Sequence, residues 1–461
     1  MSIFVSTIVS TRFELKHLFH LMIPILITQF SQAGLGLVDT IMAGHMSAID
    51  LAAIAVGVGL WMPIMLLFSG IMIATTPLVA EANGARTPEK IATIARQSLW
   101  VALILGVIAG VILQFMPALL PLFGVPENLI PKASLFLHSI GFGMPAVTMY
   151  AALRGYSEAL GYPRPVTLIS LLSLLVLIPL NIIFMYGWGP IPKLGSAGCG
   201  FATAILQWLM LFTLATYIYK SRSYKKTQIF TRWEALDSYW IKRILMLGLP
   251  IGLAIFFEVS IFSTAAIVIS PLGETTVAAH QIAMSVTSQL FMIPMSLAIA
   301  LTIRIGLYYG QKNLAAMRRV QFLGLISGTV FAFVTMALIW FFRPEIVAIY
   351  STDLGVTEVA IYLLLFAMAY QIMDAWQISA AGCLRGMQDT QGPMWITMLA
   401  YWMIAFPVGL YLARYTEFGA AGVWIGLIVG LTVACVLLLL RLYSNNRKLE
   451  IKFNSVHSSH L

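Results

Sequence analysis

Three carboxylates lie within long apolar stretches of the sequence. Glu258 lies in "LAIFFEVSIF", Asp374 in "AYQIMDAWQIS" and Asp39 in "GLGLVDTIMAG". A charged side chain at the centre of a bilayer costs about 2.5 to 3.5 kcal/mol on insertion scales, so each carboxylate requires a proton, a metal cation, a cationic ligand or water. These three acids are therefore candidates for cation binding.

The neighbours of Glu258 and Asp374 along their own helices differ. Glu258 has only apolar residues three and four positions away, so its polar partner must come from another helix. Asp374 shares a predicted helix face with Tyr370, Gln371 and Gln377, a polar stripe typical of a helix that lines a cavity. Oxygen ligands suit Na⁺, with Glu258 and Asp374 as its metal ligands, and a desolvated carboxylate suits H⁺. The residues favour neither ion.

Asp39 lies at the end of its apolar stretch, with Gln32 about two turns before it on a similar face. Two interpretations stay open for Asp39. It is either part of a coupling or substrate site or a carboxylate satisfied at the end of a helix.

Aromatic side chains in the apolar stretches are candidates for stacking on flat organic cations. The alternative is that they face lipid or pack inside the protein. The set comprises Trp61, Phe256, Phe257, Trp376, Tyr401 and Trp402.

The composition is that of an integral membrane protein. The 461 residues are 60% hydrophobic and 10% charged, and the mean hydropathy is +0.91. Apolar runs long enough to cross a bilayer as helices recur along the chain, and strand-like alternation is not sustained, so we predict an all-α fold. The twelve predicted spans are 17–40, 51–78, 94–120, 133–153, 165–186, 197–219, 243–269, 277–303, 320–342, 358–383, 394–413 and 420–441.

The distribution of basic residues predicts the orientation. With both termini in the cytoplasm, all but four of the 27 Lys and Arg residues fall on the inner side, as the positive-inside rule requires. The net charge of +9 then indicates contact with anionic lipids and not nucleic acid. The four exceptions are Lys132, Lys193, Arg343 and Arg414.

The second half of the chain repeats the landmarks of the first. Pro24 falls on Pro250 at an offset of 226, "LRG" at 153–155 on "LRG" at 384–386, and "LGSAG" from 194 on "FGAAG" from 418. We therefore predict two pseudo-symmetric six-helix lobes, 1–219 and 243–461, joined by a cytoplasmic loop at 220–242. Such a frame is typical of a transporter with alternating access, and a duplication without transport is the alternative.

Enzyme signatures are absent from the sequence. It contains no phosphate-binding Walker loop, no His-Glu-x-x-His motif and no Gly-x-Ser-x-Gly elbow, and its three cysteines lack metal-ligand spacing. We expect neither an enzyme nor a cofactor.

Seven motifs in order along the chain resemble the multidrug and toxic compound extrusion (MATE) family, NorM-type. They are "GLVDTIMAGHMSAIDLAAIAVG", "PLNIIFMYG", "LGSAGCGFATAI", "FFEVSIF", "VAAHQIA", "RIGLYYG" and "AYQIMDAWQISAAGCLRGMQDT". The resemblance implies a monomeric, multi-pass antiporter of the bacterial inner membrane that exports organic cations against inward Na⁺ or H⁺.

The resemblance also implies roles for individual residues. Glu258, Tyr370 and Asp374 match the cation site of the carboxyl-terminal lobe, and Asp39 matches the coupling aspartate of the amino-terminal lobe. Leu177 replaces a frequent asparagine and so removes a polar group near Asp39. The remaining candidates are Gln32 and Asn181 in the amino-terminal lobe, and Gln281, Phe257, Trp376 and Gln377 in the substrate cavity.

The residues leave two rival functions open. A lipid or lipid-linked saccharide flippase would share the two-lobed frame but should carry basic residues for anionic head groups. A channel-like or non-transporting membrane protein would show ion flux without drug countertransport. The acidic intramembrane residues favour the drug antiporter.

Overall fold

The computed structural model describes the backbone of residues 2–458 and the side chains of residues 11–122 and 124–452. Met1 and residues 459–461, the outermost positions of the two predicted lobes, lie outside the described residues. Residues 2–458 form helices joined by short loops and contain no β-strand. The predicted all-α class is confirmed.

Eight α-helices form the first half of the chain. A 3₁₀ segment, Met116–Phe123, follows α4, and a π-helical segment, Ile182–Gly187, follows α7. The helices are α1 Ser2–Met46, α2 Ala48–Met72, α3 Thr75–Gly84, α4 Pro88–Phe115, α5 Ile130–Gly141, α6 Met144–Ala159, α7 Arg164–Asn181 and α8 Ser196–Lys220.

Seven α-helices form the second half. A second π-helical segment, Leu399–Ala405, lies between α13 and α14, and short 3₁₀ turns occur at Arg222–Tyr224 and Ser270–Leu272. The helices are α9 Ser238–Ile269, α10 Glu274–Gly310, α11 Leu314–Tyr350, α12 Leu354–Gly386, α13 Gln391–Met398, α14 Phe406–Tyr415 and α15 Ala420–Ser458.

Eleven helical stretches among the described residues are long and apolar enough to cross a membrane. The pair α5 and α6 bends by 43° between Gly141 and Met144 and makes the twelfth span when counted as one. The predicted span 51–78 is likewise two helices, because the chain turns at Ile73 and Ala74 between α2 and α3. Twelve spans are thus accounted for, and several run beyond the predicted apolar windows.

The chain divides into two compact units by its internal contacts. Pro24–Gly252 form one, here called the amino-terminal unit, and Leu253–Leu461 with Met1–Ile23 form the carboxyl-terminal unit. Both boundaries fall inside helices, next to Pro24 in α1 and Pro250 in α9, where a backbone hydrogen bond is lost. The predicted lobe boundaries at 219 and 243 lie elsewhere, and the two-lobe assignment stays a prediction.

The predicted inter-lobe loop packs within the amino-terminal unit. Arg96 Nε donates to the carbonyl of Ile229 at 2.9 Å, and Gln97 Nε2 donates to that of Ala235 at 2.7 Å. Burial raises the pKa of Tyr224, in the same loop, to about 12. These contacts of the loop with α4 explain why the unit boundary lies beyond it.

The first helix contributes a buried ion pair to the carboxyl-terminal unit. Glu14 on α1 accepts a hydrogen bond from Arg304 Nη2 at 2.6 Å and another from the hydroxyl of Tyr308. All three side chains are buried, so their charges compensate each other away from water. This pair joins the start of α1 to α10.

Glycines permit close packing of the helices. A Cβ added to Gly382 on α12 would lie 2.5 Å from the carbonyl oxygen of Ala298 on α10, and one on Gly426 of α15 would lie 2.5 Å from Gly409 Cα of α14. Small residues at such crossings let membrane helices approach closely. The position of α12 on α10 matters because both helices carry residues of the candidate site.

Candidate functional site

Glu258 lies on α9 and is partly buried within the carboxyl-terminal unit. The hydroxyl of Tyr401, which is fully buried, donates to Glu258 Oε1 over a long 3.5 Å. Tyr401 belongs to the π-helical segment Leu399–Ala405, and such irregular turns occur often at functional sites. The partner of Glu258 thus comes from another helix, as expected from its apolar neighbours.

Asp374 lies on α12 and is 5% exposed. The carboxylates of Asp374 and Glu258 lie close enough to interact electrostatically. Both also interact electrostatically with the hydroxyl of Tyr370, one turn before Asp374. The ring of Tyr370 packs against Trp424 of α15, with ring centroids 6.1 Å apart. The structure therefore brings Glu258, Asp374 and Tyr370 together, with Tyr401 as an additional member.

The rest of the polar stripe on α12 is also buried. Gln371 Oε1 accepts a hydrogen bond from Thr335 of α11 at 3.4 Å. Gln377 is 2% exposed, and its Oε1 has no hydrogen-bond partner within the described part of the chain. A buried amide oxygen of this kind indicates a water or ion beside it.

The structure also places a cation near Glu258. Arg385, the penultimate residue of α12, is 7% exposed, and its charge acts on Glu258. The sequence places no Lys or Arg deep in a predicted span, but α12 continues beyond its span of 358–383 and carries Arg385 with it. Glu258 therefore has a basic residue among its electrostatic partners.

Asp39 has its own set of partners in the amino-terminal unit. Asn181 Nδ2 on α7 donates to Asp39 Oδ1 at 2.7 Å, and Thr203 Oγ1 on α8 donates to Oδ2 at 3.0 Å. Asn181 is fully buried, and its Oδ1 has no partner among the described residues. Leu177, one turn before Asn181, is buried and apolar. Thr203 thus supplies a polar contact in addition to that of Asn181.

Gln32 and Gln281 are not part of either cluster by the contacts observed. Gln32 is partly buried on α1 and lies seven residues from Asp39, about 10 Å along the helix axis. Gln281 is exposed on α10, beside the buried His280. Their proposed roles stay predictions.

The aromatic candidates are held by neighbouring helices. Trp376 Nε1 donates to Thr329 of α11 at 2.8 Å, and the carbonyl of Phe257 accepts from Trp402 Nε1 at 3.3 Å. The rings of Phe256 and Phe257 lie 6.3 Å apart. These contacts position the rings and leave the nature of a ligand open.

Three of these partners were missed or only partly anticipated from the sequence. Thr203 lies in the motif "LGSAGCGFATAI", and Arg385 lies in the repeated "LRG", so both had a sequence signal. Tyr401 was noted only as an aromatic residue. Within the described residues, no three His, Cys, Asp or Glu side chains converge as a metal cluster.

Comparison with known proteins adds to this geometry. The MatE family model matches residues 24–183 and 250–411. The two matches begin at Pro24 and Pro250, the pair related by the internal repeat. The duplicated halves of the chain are therefore two copies of one family unit.

Curated relatives match along nearly the whole chain. The probable multidrug resistance protein NorM of Acinetobacter baylyi is 76% identical over 438 residues, which cover 95% of this chain and 98% of that protein. The multidrug resistance protein PmpM of Pseudomonas aeruginosa is 40% identical over 442 residues, covering 95% and 93%.

Solved structures share the fold. The eukaryotic MATE transporter AtDTX14 superposes with a TM-score of 0.86 at 21% identity, covering 96% of this chain and 99% of that one. An outward-facing MATE family transporter of the MOP superfamily gives 0.86 at 22% identity, covering 95% and 96%.

The helical fold, the family match and the curated relatives define a multi-pass membrane transporter, not an enzyme. The chain belongs to the MatE family, the multidrug and toxic compound extrusion family that its motifs resemble.

Proposed function

We propose that this transporter exports organic cations in exchange for Na⁺ or H⁺, and that Glu258 and Asp374 share the coupling cation. The observation that carries the proposal is the meeting of these carboxylates in one unit, although they lie on α9 and α12. Two partly desolvated negative charges repel each other, so binding of a cation between them is favourable.

The hydroxyl groups around the carboxylates fit this role. Tyr370 offers an oxygen atom that can coordinate Na⁺ or hydrogen-bond to a protonated carboxyl group, whereas the hydroxyl of Tyr401 donates to the ionised carboxylate of Glu258. Occupancy of the site by a cation would then bias one conformation of the carboxyl-terminal unit over another. A ligand-driven change of this kind requires a difference in cation affinity between the two conformations.

The amino-terminal unit is proposed to take part through Asp39. Asn181 and Thr203 each donate one hydrogen bond to its carboxylate and so stabilise its ionised form. This environment differs from that of Glu258, which receives a single long hydrogen bond from the side chains that the structure describes. We infer that the two acids bind cations with different affinities.

The class of substrate is inferred from charge and from relatives. The names of the relatives describe multidrug resistance, and the acids and aromatic rings of this chain suit flat organic cations. Phe257 and Trp376 are the aromatic candidates, with Gln281 and Gln377 as polar ones. The flippase alternative is not favoured, because every curated relative named above is a multidrug resistance protein.

The proposed setting is the bacterial inner membrane, with a monomer whose termini both lie in the cytoplasm. The loop 220–242 carries six basic residues on the side assigned to the cytoplasm.

The test is ethidium transport in proteoliposomes with Na⁺ and pH gradients imposed separately. Ethidium movement driven by either gradient supports the proposal and identifies the ion. Ethidium movement that is independent of both gradients, or cation flux that does not require ethidium, would contradict it.

A further inference from the structure

Arg385 lies on the same face of α12 as Asp374. Their separation of eleven positions makes three helical turns, about 16 Å along the axis. Tyr370 and Gln377 lie on this stripe too, and all four side chains are more than nine-tenths buried. This face of α12 thus runs from the proposed cation site to the end of the helix, where Arg385 is buried.

The guanidinium of Arg385 is incompletely satisfied. Its Nε and Nη2 are buried and have no hydrogen-bond partner among the side chains and backbone that the structure describes. A buried positive charge is unfavourable unless a negative group compensates it. Glu258 is the carboxylate whose charge acts on Arg385.

The internal repeat supplies a direct comparison. Arg154, the counterpart of Arg385, donates from Nε to Glu158 at 2.8 Å and from Nη2 to Gln29 at 3.0 Å. The counterpart of Glu158 is Asp389, which is bound by Arg441 Nε at 2.6 Å. Arg154 therefore has a local partner, whereas the equivalent partner of Arg385 is engaged by another arginine.

Three other arginines on the helices packed against α12 have carboxylates of their own. The electrostatic partners of Arg385 are Glu258 and Cys383, and Glu258 also interacts with Asp374, Tyr370 and Tyr401. Apart from Arg385 itself, none of these groups is basic. The pairs are Arg304 with Glu14 on α10, Arg318 with Glu450 on α11 and α15, and Arg441 with Asp389 on α15.

We propose that Arg385 is an internal counter-cation that compensates Glu258 when the coupling cation leaves. This role rests on the proposed function, since it assumes cation exchange at Glu258 and Asp374. The positive charge opposes cation binding and favours cation release, so Arg385 is a positioning residue that sets the cation affinity of the site.

The test compares wild type with R385Q in ethidium exchange by proteoliposomes, with Na⁺ varied at fixed pH and pH varied at fixed Na⁺. Removing the positive charge should tighten cation binding. The half-saturating concentration of the driving cation is expected to fall roughly three- to tenfold, and the maximal rate to fall because release is slower. R385K, which keeps the charge, should stay closer to wild type.

Arg154→Gln is the matched control, because Arg154, in the amino-terminal unit, has its own partner, Glu158. The half-saturating cation concentration of Arg154→Gln should equal that of wild type. R385M, an apolar side chain of similar length, serves if R385Q does not fold. An unchanged half-saturating concentration in folded R385Q or folded R385M would overturn the role of Arg385. A wild type that shows no cation-driven exchange would instead overturn the proposed function.

Discussion

The hydroxyl of Tyr401 lies 3.5 Å from Oε1 of Glu258, although 143 residues separate them in the chain. Tyr401 is fully buried in the π-helical segment before α14, and Glu258 lies midway along α9. A contact between such distant residues exists only in the folded carboxyl-terminal unit. The same folding brings Asp374 and Tyr370 of α12 to the glutamate.

Tyr401→Phe should tighten binding of the driving cation. The Tyr401 hydroxyl donates to the carboxylate and so stabilises the cation-free form, a contribution of about 0.5 to 1.5 kcal/mol for a hydrogen bond of ordinary strength. Because this bond is long, we expect the half-saturating cation concentration to fall roughly two- to fivefold. The measurement is ethidium exchange in proteoliposomes over a cation titration.

Tyr411→Phe is the control for that variant, because Tyr411 is 60% exposed on α14 and has no contact with Glu258. An equal cation titration for Tyr401→Phe and Tyr411→Phe would show that the hydroxyl of Tyr401 does not act on Glu258.

Thr203→Val should remove one hydrogen bond to the carboxylate of Asp39 while preserving the shape of the side chain at position 203. The variant removes the hydrogen bond to Oδ2, leaving that of Asn181 at Oδ1. We expect a loss of about 1 kcal/mol in the free energy of unfolding and a changed cation titration. Thermal unfolding of the purified protein and ethidium exchange would report the two effects. Thr203→Ser, which keeps the hydroxyl, should stay near wild type, and an equal titration for Thr203→Val would exclude a role for the contact.

Gly382→Ala should destabilise the contact between α12 and α10. The added Cβ would lie 2.5 Å from the carbonyl oxygen of Ala298, which cannot move without shifting the helix backbone. Overpacking of this kind costs about 1 to 3 kcal/mol. The expected result is a lower unfolding temperature in detergent and less folded protein.

Gly59→Ala is the control for Gly382→Ala, because Gly59 also lies inside a helix but has free space for an added Cβ. A Cβ on Gly59 meets nothing within 4 Å, and alanine favours a helix over glycine by roughly 0.5 to 1 kcal/mol. Its unfolding temperature should equal or exceed that of wild type. A smaller loss for Gly382→Ala than for Gly59→Ala would refute the packing argument.

Apolar length and charge distribution were sufficient to predict most of the fold. A run of about twenty apolar residues must satisfy its backbone internally in a bilayer, so spans such as 243–269 follow from composition alone. The bend between Gly141 and Met144 and the π-helical turn at Tyr401 did not follow, because they depend on packing against other helices.

The candidate site was predictable residue by residue but not contact by contact. Glu258 and Asp374 were identifiable because a carboxylate in an apolar span is costly. Thr203 and Arg385 lie in recognisable motifs, but their contacts with the site do not follow from the sequence, since a threonine in a helix is ordinary and Arg385 lies past the apolar window of its span. Which side chains meet depends on the register between helices, which the sequence of one helix does not contain.

Asp389→Asn should lower the free energy of unfolding at neutral pH. The difference from wild type should disappear in acid. Burial raises the pKa of Asp389, but hydrogen bonds from Arg441 and Asn445 outweigh it and hold the pKa below its ordinary value of about 3.9. A carboxyl group whose pKa is lowered by folding stabilises the protein above its unfolded pKa, and this contribution is lost as the pH falls through the folded value.

Because Arg441 is partly exposed, its interaction with Asp389 is screened, and we expect a difference of about 1 kcal/mol at pH 7. Unfolding of wild type and Asp389→Asn would be followed from pH 7 to pH 3. The difference between them should shrink below about pH 4. A difference that grows toward acid would contradict the assigned sign.

The most direct test of cation sharing by Glu258 and Asp374 is reverse exchange in proteoliposomes, where an imposed ethidium gradient drives the coupling cation uphill. Wild type should move the cation and ethidium in opposite directions. Glu258→Gln and Asp374→Asn should each abolish cation movement, since the shared site then holds one carboxylate and not two. Glu345→Gln, at an exposed position on α11, is the control for expression and reconstitution. Uphill cation movement at the wild-type rate in Glu258→Gln would contradict the account.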